Sequence, residues 1–304
     1  MRFHLLATAC LALGLVLPAS AAENDWAKVA DALGKSGTEM PGGVYRVGLP
    51  RTDLHVTLDG VQIKPTLALG SWLAFQSNGD ATMGMGDLVL TEDEIGPVMK
   101  KLAEGGIEIT ALHNHLLRAQ PSTLYMHVLG HGDPAKLAAA LHDGLALSNT
   151  PLGSATASAS PQAPAAGSDQ PARLDLDTAM IDQVLGAKGK ATGGVYQVGI
   201  PRAETVKDGG MEVPVAMGSA EAINFQPTGG GKAAVTGDFV LTAGEVNPVL
   251  RTLRENGIEV TAMHNHMLDD QPRLFFMHFW ANDDAAKLAK GLRAALDKVN
   301  VARS

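Results

Sequence analysis

Two copies of one histidine-rich segment dominate this sequence. Residues 107–127 read IEITALHNHLLRAQPSTLYMH, and residues 258–278, which lie 151 positions further on, read IEVTAMHNHMLDDQPRLFFMH. Each copy begins with the alternating pattern of a β-strand and continues into His-Asn-His, a turn-forming stretch with Gln-Pro, and a final Met-His. The histidines occupy matching positions: His113, His115 and His127 correspond to His264, His266 and His278.

The repeat extends over most of the chain. The segment GGVYRVGLPR at 42–51 matches GGVYQVGIPR at 193–202, and GDLVLT at 86–91 matches GDFVLT at 237–242. Units of this length, present only twice, are too long and too few for a solenoid. The sequence therefore predicts a tandem duplication, with one domain over residues 23–147 and a second over residues 173–304.

A segment of different composition separates the two copies. Residues 148–172 read SNTPLGSATASASPQAPAAGSDQPA, with a single charge and no aromatic residue. Such a composition cannot form a hydrophobic core, so it predicts a flexible linker. A linker of this kind permits the domains to separate and equally permits them to pack together.

Within each copy, the pattern predicts a strand, a helix, two strands and a helix. Thr91 and Glu94 have the spacing of a capping box, which predicts a helix from Glu92 to about Ala103. The nearly continuous apolar run at 66–75, TLALGSWLAF, predicts a strand that is buried on both faces. We therefore expect an α+β fold of two tandem homologous domains, each a mainly antiparallel sheet with a β-α-β-β-α unit packed on one face.

Composition sets limits on the class of protein. The chain has 304 residues, of which 45% are hydrophobic and 18% charged, values typical of a soluble protein with about two domains. The net charge of −8 and the lack of a basic cluster argue against nucleic acid as a partner. No stretch beyond the first 22 residues is long and apolar enough to predict a transmembrane helix.

The first 22 residues have the pattern of a signal peptide. Arg2 provides the positive charge, residues 5–17 the short apolar run, and residues 18–22 (PASAA) the small residues of a cleavage site. We therefore expect an exported protein, periplasmic or secreted. Cys10, the single cysteine, follows a hydrophobic run too short for a lipid-attachment site, so we do not expect a lipoprotein anchor. A mature chain without thiols has no disulfides, thiolate ligands or cysteine nucleophile.

The spacing of the histidines predicts a metal site. Residues two apart in a strand project to the same face, so His113 and His115 should point together. An antiparallel return around Gln120 or Pro121 would bring His127 opposite one of them. Three converging imidazoles suit Zn, Cu, Mn, Ni or Fe, with at least one open coordination position. We therefore predict a three-histidine metal site in each repeat, with these ligands: His113, His115, His127, His264, His266 and His278.

Other readings of the same residues stay open. The histidines could instead form structural hydrogen-bond networks with Asn114 and Gln120, which would make the protein a metal-free ligand-binding or interaction module. A metal site could hold its ion or use it for hydrolysis or oxygen chemistry on a small molecule. The sequence does not decide between these roles. Asp87 and Asp238, the other matched polar pair, are more typical of turns or helix caps.

The motifs resemble those of a known family. The combination of GVYxVGxPR, the Gly-Asp-(Leu/Phe)-Val-Leu-Thr strand, Gly-Ile-Glu-(Ile/Val)-Thr-Ala-(Leu/Met)-His-Asn-His and Met-His is similar to the LppY/LpqO-type bacterial exported-protein domain. The resemblance covers each repeat once. It implies export and the identity of the domain, but no reaction. Some members of that family are lipoproteins, a feature that this chain does not share in its sequence.

Overall fold

A computed structural model describes residues 26–79, 81–152 and 174–302. The predicted signal segment and most of the predicted linker lie outside the described residues. At the start of that linker, the backbone N–H of Asn149 donates to a carboxylate oxygen of Glu94 at 2.7 Å, so these first residues pack against the first half.

The first half contains four helices and eight strands. Their order is α1 (Trp26–Leu33), β1 (Thr38–Met40), β2 (Val44–Pro50), β3 (Thr57–Leu58), β4 (Val61–Gln62), α2 (Pro65–Ala68), β5 (Gly70–Asn78), β6 (Ala81–Leu90), α3 (Glu92–Glu104), β7 (Glu108–His113), β8 (Leu124–Gly132) and α4 (Pro134–Leu145).

The second half repeats this order with one added short strand. It contains α5 (Thr178–Leu185), β9 (Lys190–Thr192), β10 (Val195–Pro201), β11 (Lys207–Asp208), β12 (Met211–Glu212), a 3-10 helix (Val215–Met217), β13 (Ala220–Gly229), β14 (Lys232–Thr242), α6 (Ala243–Glu255), β15 (Glu259–His264), β16 (Asp270–Gln271), β17 (Leu274–Asp284) and α7 (Ala285–Leu296).

Each half is built on a six-stranded antiparallel sheet. The strand order is β1-β2-β5-β6-β8-β7 in the first half and the equivalent β9-β10-β13-β14-β17-β15 in the second. The units β6-α3-β7-β8-α4 and β14-α6-β15-β17-α7 are the predicted β-α-β-β-α units, so the α+β prediction is confirmed. None of the helices in the described ranges combines the length and the apolar character that a bilayer crossing requires.

The helices of each half cover one face of its sheet. In the first half, α1, α3 and α4 pack on residues such as Val47, Phe75 and Val128. Helix α3 begins with the predicted capping box, in which the Thr91 and Glu94 side chains and backbones bond reciprocally. The equivalent helices α5, α6 and α7 form the same layer on the second sheet. In each half, the helices bury one face of the sheet in a hydrophobic core.

The predicted strand over residues 66–75 is wrong in its first part. Residues 65–68 form the short helix α2, and strand β5 begins only at Gly70. Pro65 explains the difference, because its fixed backbone angle suits the first turn of a helix. An apolar run alone does not distinguish a buried helical turn from a strand.

The remaining faces of the two sheets pack against each other. Met85 and Leu129 of the first half share one buried apolar cluster with Val240 and Phe276 of the second. In a second cluster, the β3–β4 hairpin and its surroundings pack on residues of the second sheet, including Trp280. The two halves therefore form one packed unit of helices, sheet, sheet and helices. Burial on both faces explains why nine of the ten residues of β6 are buried.

A buried arginine explains the GVYxVGxPR motif. Arg51 has no exposed surface, and its guanidinium donates to a Glu94 carboxylate oxygen at 2.8 Å and to the Val89 carbonyl at 2.6 Å. Arg202 bonds Glu245 in the same way, with a nitrogen–oxygen distance of 2.9 Å. Each arginine thus ties the end of a sheet strand to the capping box of the following helix. The motif is structural.

Replacement of Arg51 should destabilise the fold strongly. In Arg51→Met, the buried Glu94 carboxylate loses its countercharge, which typically costs about 3–5 kcal/mol of unfolding free energy. Urea unfolding followed by circular dichroism measures this loss. Arg118→Met is the matched control, because Arg118 pairs with Asp59 and Glu259 at the surface. A similar loss in both variants would contradict the assignment.

Candidate metal centre

Strand alternation directs two histidines and two aspartates into the space between the sheets. His127 on β8 pairs with Asp87 on β6, and His278 on β17 pairs with Asp238 on β14. The neighbours of His127 along the strand, Met126 and Val128, belong to the helix-covered core. Because successive residues point to opposite faces, His127 points toward the other half.

The His-Asn-His segments lie at the end of the edge strands β7 and β15. The predicted register is wrong here: His127 pairs with Ala111, and His113 pairs with Tyr125. A β-bulge between Ile109 and Ala111 shifts the register, and β7 ends at His113, so His115 lies in the following loop. Sequence alternation alone could not reveal this bulge.

The two edge strands meet across the interface. The Thr110 hydroxyl donates to the His266 carbonyl at 2.6 Å, and the Asn265 side-chain amide donates to the Thr110 carbonyl at 3.0 Å. These bonds hold the His-Asn-His segment of one half against the strand of the other. They explain how two distant segments of sequence form a single site.

All six predicted histidines come together in one cluster. Their rings stack in pairs that each join one half to the other. The centroid distances are 3.4 Å for His113 and His264, 3.5 Å for His115 and His278, and 3.9 Å for His127 and His266. Since His115 corresponds to His266 and His127 to His278, the pairs are related by an approximate two-fold axis near His113 and His264.

Two of the three groups that suit a metal ion combine both halves, and the third lies within the first half. In each group the ligating atoms lie within 4.8 Å of one another, and the groups are His113, His115, His264 and His278; His127, His264 and His266; and Asp87, His115 and His127. A tetrahedral ion with bonds of about 2.0 Å needs ligand atoms roughly 3.3 Å apart, so small side-chain movements complete such a site. The grouping differs from the predicted one of a triad per repeat, because the sheets face each other and the nearest neighbours lie across the interface.

The two aspartates belong to the same cluster. The Asp238 carboxylate oxygens lie 3.5 Å from Nε2 of His266 and 3.6 Å from Nε2 of His278. Asp87 occupies the equivalent place beside His115 and His127. The sequence analysis assigned both aspartates to turns or helix caps and therefore missed their position in the histidine cluster. Both copies contain Gly-Asp at matching positions, and the strand register pairs each aspartate with a histidine. Together these two observations could have indicated that the aspartates belong to the cluster.

Burial keeps the imidazoles neutral. His127 and His278 are each only 3% exposed. Burial lowers the pKa of His113 to about 4 and that of His278 to about 3, and it lowers the pKa of the other four histidines well below the usual value. Burial also raises the pKa of Asp87 to about 8. Neutral imidazole is the form that binds a metal ion.

Polar atoms without hydrogen-bond partners concentrate in this cluster. Among the described residues, eleven buried side-chain nitrogen or oxygen atoms have no partner, and eight of them belong to five of the six histidines and to the two aspartates. They are Asp87 Oδ1, His113 Nδ1, His115 Nε2, Asp238 Oδ1, His264 Nδ1 and Nε2, His266 Nε2 and His278 Nε2. Buried polar groups are nearly always satisfied, so such a concentration fits a site that a cation completes.

Comparison with known proteins assigns the chain to a family. The family model described as "Domain of Unknown Function (DUF1259)" matches twice, over residues 27–147 and 179–298. The two matches cover most of the sequence, so the chain belongs to this family and carries it as a tandem repeat. No curated protein matches the chain.

The family match corrects the resemblance drawn from the motifs. The matching model is the domain of unknown function, so the assignment to the LppY/LpqO-type family is wrong. Two residues of those motifs serve the fold, because Arg51 bonds Glu94 and Thr91 begins the capping box of helix α3. Motifs that contain such structural residues indicate a shared fold more than a particular family.

Two solved structures are similar over most of their length. One is a trimeric bacterial microcompartment shell protein, PduB, with 12% identity, 84% of this chain and 88% of that chain covered, and a TM-score of 0.19. The other is EtuB from Clostridium kluyveri, with 9% identity, coverages of 86% and 88%, and a TM-score of 0.19. Similarity at this level carries no conclusion about this chain.

The cluster predicts how the stability of the metal-free protein depends on pH. An unfolded histidine gains its proton near pH 6.5, whereas His113 in the folded state gains it near pH 4. Between these values only the unfolded chain is protonated, so each such histidine lowers the unfolding free energy by about 1.4 kcal/mol per pH unit of acidification. Asp87 acts oppositely between pH 3.8 and about 8, where the folded state keeps a proton that the unfolded chain has lost.

We expect a stability maximum near pH 6.5. Below it, the six histidines outweigh the four buried carboxyl groups with a raised pKa, which are Asp87, Asp208, Asp238 and Glu221. Above it, the carboxyl groups alone reduce stability. Urea unfolding at several pH values in the presence of a chelator measures the profile. In Asp87→Asn, the unfolding free energy should fall less above pH 6.5 and should still fall below it. An unfolding free energy that does not change on the acid side would contradict neutral imidazoles in the folded state.

Proposed function

We propose that this protein binds a transition metal in the histidine cluster between its two halves, with all six histidines as ligands. The observation that carries the proposal is the convergence of six neutral imidazoles, four of them buried and two partly buried, with eight unpartnered polar atoms among them and the two aspartates. Neither half alone supplies the two groups made only of histidines, because each of them contains residues from both halves.

The ligand chemistry narrows the choice of metal. Of Zn, Cu, Mn, Ni and Fe, imidazole nitrogen suits Zn, Cu, Ni and Fe, whereas Mn prefers a larger share of oxygen ligands. Nitrogen donors outnumber the carboxylates of Asp87 and Asp238 in the cluster. We therefore propose one of the first four metals.

The depth of the site favours an ion that is held over one that turns over a substrate. His115, His127, His266 and His278 are each at most 9% exposed. A cavity of about 450 Å³ lies elsewhere in the second half, lined by residues that include Leu185, Arg293 and Asn300. A catalytic metal needs an open coordination position that a substrate can reach. We propose that the ion stays bound and joins the two halves.

Metal analysis tests this proposal. Mature protein purified without a histidine tag, then exposed to each of the five ions and desalted, should retain metal. A metal present at 100 times its dissociation constant should add about 2.7 kcal/mol to the unfolding free energy. The variant with His113, His115, His264 and His266 all changed to Ala should lose both the metal and this stabilisation.

The chain offers a matched control for this experiment. His131 and His142 lie outside the cluster, so His131→Ala combined with His142→Ala should retain metal fully. If none of the five ions binds the folded wild-type protein, the proposal fails and the histidines serve as a hydrogen-bond network. The contact of 3.0 Å between Nε2 of His113 and Nε2 of His127 would then be one bond of that network.

We also propose that the chain is exported. Support comes from the sequence alone: Arg2, the apolar run over residues 5–17 and the small residues at 18–22. In a bacterial host, the protein should appear in the periplasmic or secreted fraction with its first residue at Ala22 or Glu23. Leu13→Arg with Leu15→Arg should keep it in the cytoplasm at full length.

A second substitution separates export from lipid attachment. Cys10→Ala should leave the location and the processed mass unchanged, because we do not expect Cys10 in the mature chain. A membrane-bound wild-type protein that becomes soluble in Cys10→Ala would show that lipid attachment, not simple cleavage, processes the segment.

A further inference from the structure

Two of the candidate ligand groups share a single histidine. The first group is His113, His115, His264 and His278, and the second is His127, His264 and His266. His264 is the member common to both. The other members follow the approximate two-fold axis, since His115 and His278 in the first group correspond to His266 and His127 in the second.

His264 differs from the other histidines in the state of its ring nitrogens. Both Nδ1 and Nε2 of His264 are buried and have no hydrogen-bond partner among the described residues. In His113, the symmetry-related residue, Nε2 lies 3.0 Å from Nε2 of His127, and only Nδ1 is unpartnered. In His278, Nδ1 contacts the Gly237 carbonyl at 2.8 Å. Of the six rings, His264 is the one in which both nitrogens are buried and have no hydrogen-bond partner among the described residues.

We infer that the cluster holds two transition metal ions and that the imidazole of His264 bridges them. One ion is bound by His113, His115 and His278 together with His264, and the other by His127 and His266 together with His264. The inference rests on the proposed metal-binding function and adds the number of ions and the identity of the bridge.

The bridge has a defined chemistry. A neutral imidazole has one lone pair for a metal, and its second nitrogen carries a proton. When the second ion binds, the N–H bond of His264 breaks, the proton passes to solvent, and the freed electron pair forms the second metal–nitrogen bond. The resulting imidazolate links the two ions through one aromatic ring and couples their unpaired electrons if both are copper(II).

Copper(II) alone is a suitable probe, because it suits imidazole ligands and has one unpaired electron. Metal-free mature protein titrated with copper(II) should bind two ions per chain. Electron paramagnetic resonance of this protein should show far less signal than the copper content implies, because the bridge couples the two spins. The number of bound ions comes from elemental analysis of the same sample.

A matched pair of variants tests the identity of the bridge. In His264→Gln, copper should fall from two ions to one per chain, and the remaining copper should give its full resonance signal. In His131→Gln, which changes an exposed histidine outside the cluster and leaves His264, two coupled ions should remain. Circular dichroism and thermal unfolding of the metal-free variants establish that both are folded.

The outcomes separate this inference from the function on which it rests. One ion per wild-type chain, or two ions with a full resonance signal, would overturn the bridge and leave the metal-binding proposal in place. Two coupled ions in His264→Gln would also overturn it. Absence of bound metal would defeat both proposals. If His264→Gln does not fold, the copper content and signal of the wild type decide the question.

Discussion

The burial of polar groups between the two sheets is the constraint on which the rest of this structure depends. Face-to-face packing buries four imidazoles and two carboxyl groups and partly buries His113 and His264, and a buried polar group without a partner costs on the order of 1–3 kcal/mol. The surrounding apolar clusters and the Thr110 and Asn265 hydrogen bonds stabilise the packing that imposes this cost. A bound cation would satisfy most of these atoms at once, which links the stability of the interface to metal binding.

Duplication within one chain gives this interface its form. The two halves meet as equivalent partners do in a symmetric dimer, where the same surface of each subunit contacts the other. His113 and His264 stack near the axis at 3.4 Å, and each remaining histidine stacks on a residue of the opposite half. Because both copies are in one polypeptide, the centre forms at any protein concentration and the two copies are free to differ.

Much of the local structure, and the six histidines that cluster between the sheets, could be predicted from sequence, whereas Asp87 and Asp238 were missed. The duplication, the capping box at Thr91 and the six histidines were readable because each is a pattern within one segment or between copies. The grouping of the histidines was not, because it depends on which sheet faces pack together. The bulge beside Thr110 and the helical turn that begins at Pro65 were also not predicted, because each is a local departure from an otherwise regular pattern.

The cluster has matching histidines and aspartates in both halves, but the charges around it differ between the halves. Arg46 lies with its guanidinium 4.1 Å from the centre of the Trp72 ring, and its charge acts against the effect of burial that raises the pKa of Asp87. Gln197 occupies the matching position in the second half, and burial together with the charge of Asp87 raises the pKa of Asp238 well above its usual value. Asp87 is therefore the carboxyl group that ionises more readily. A bound cation would therefore gain its first compensating negative charge on the side of the cluster that belongs to the first half.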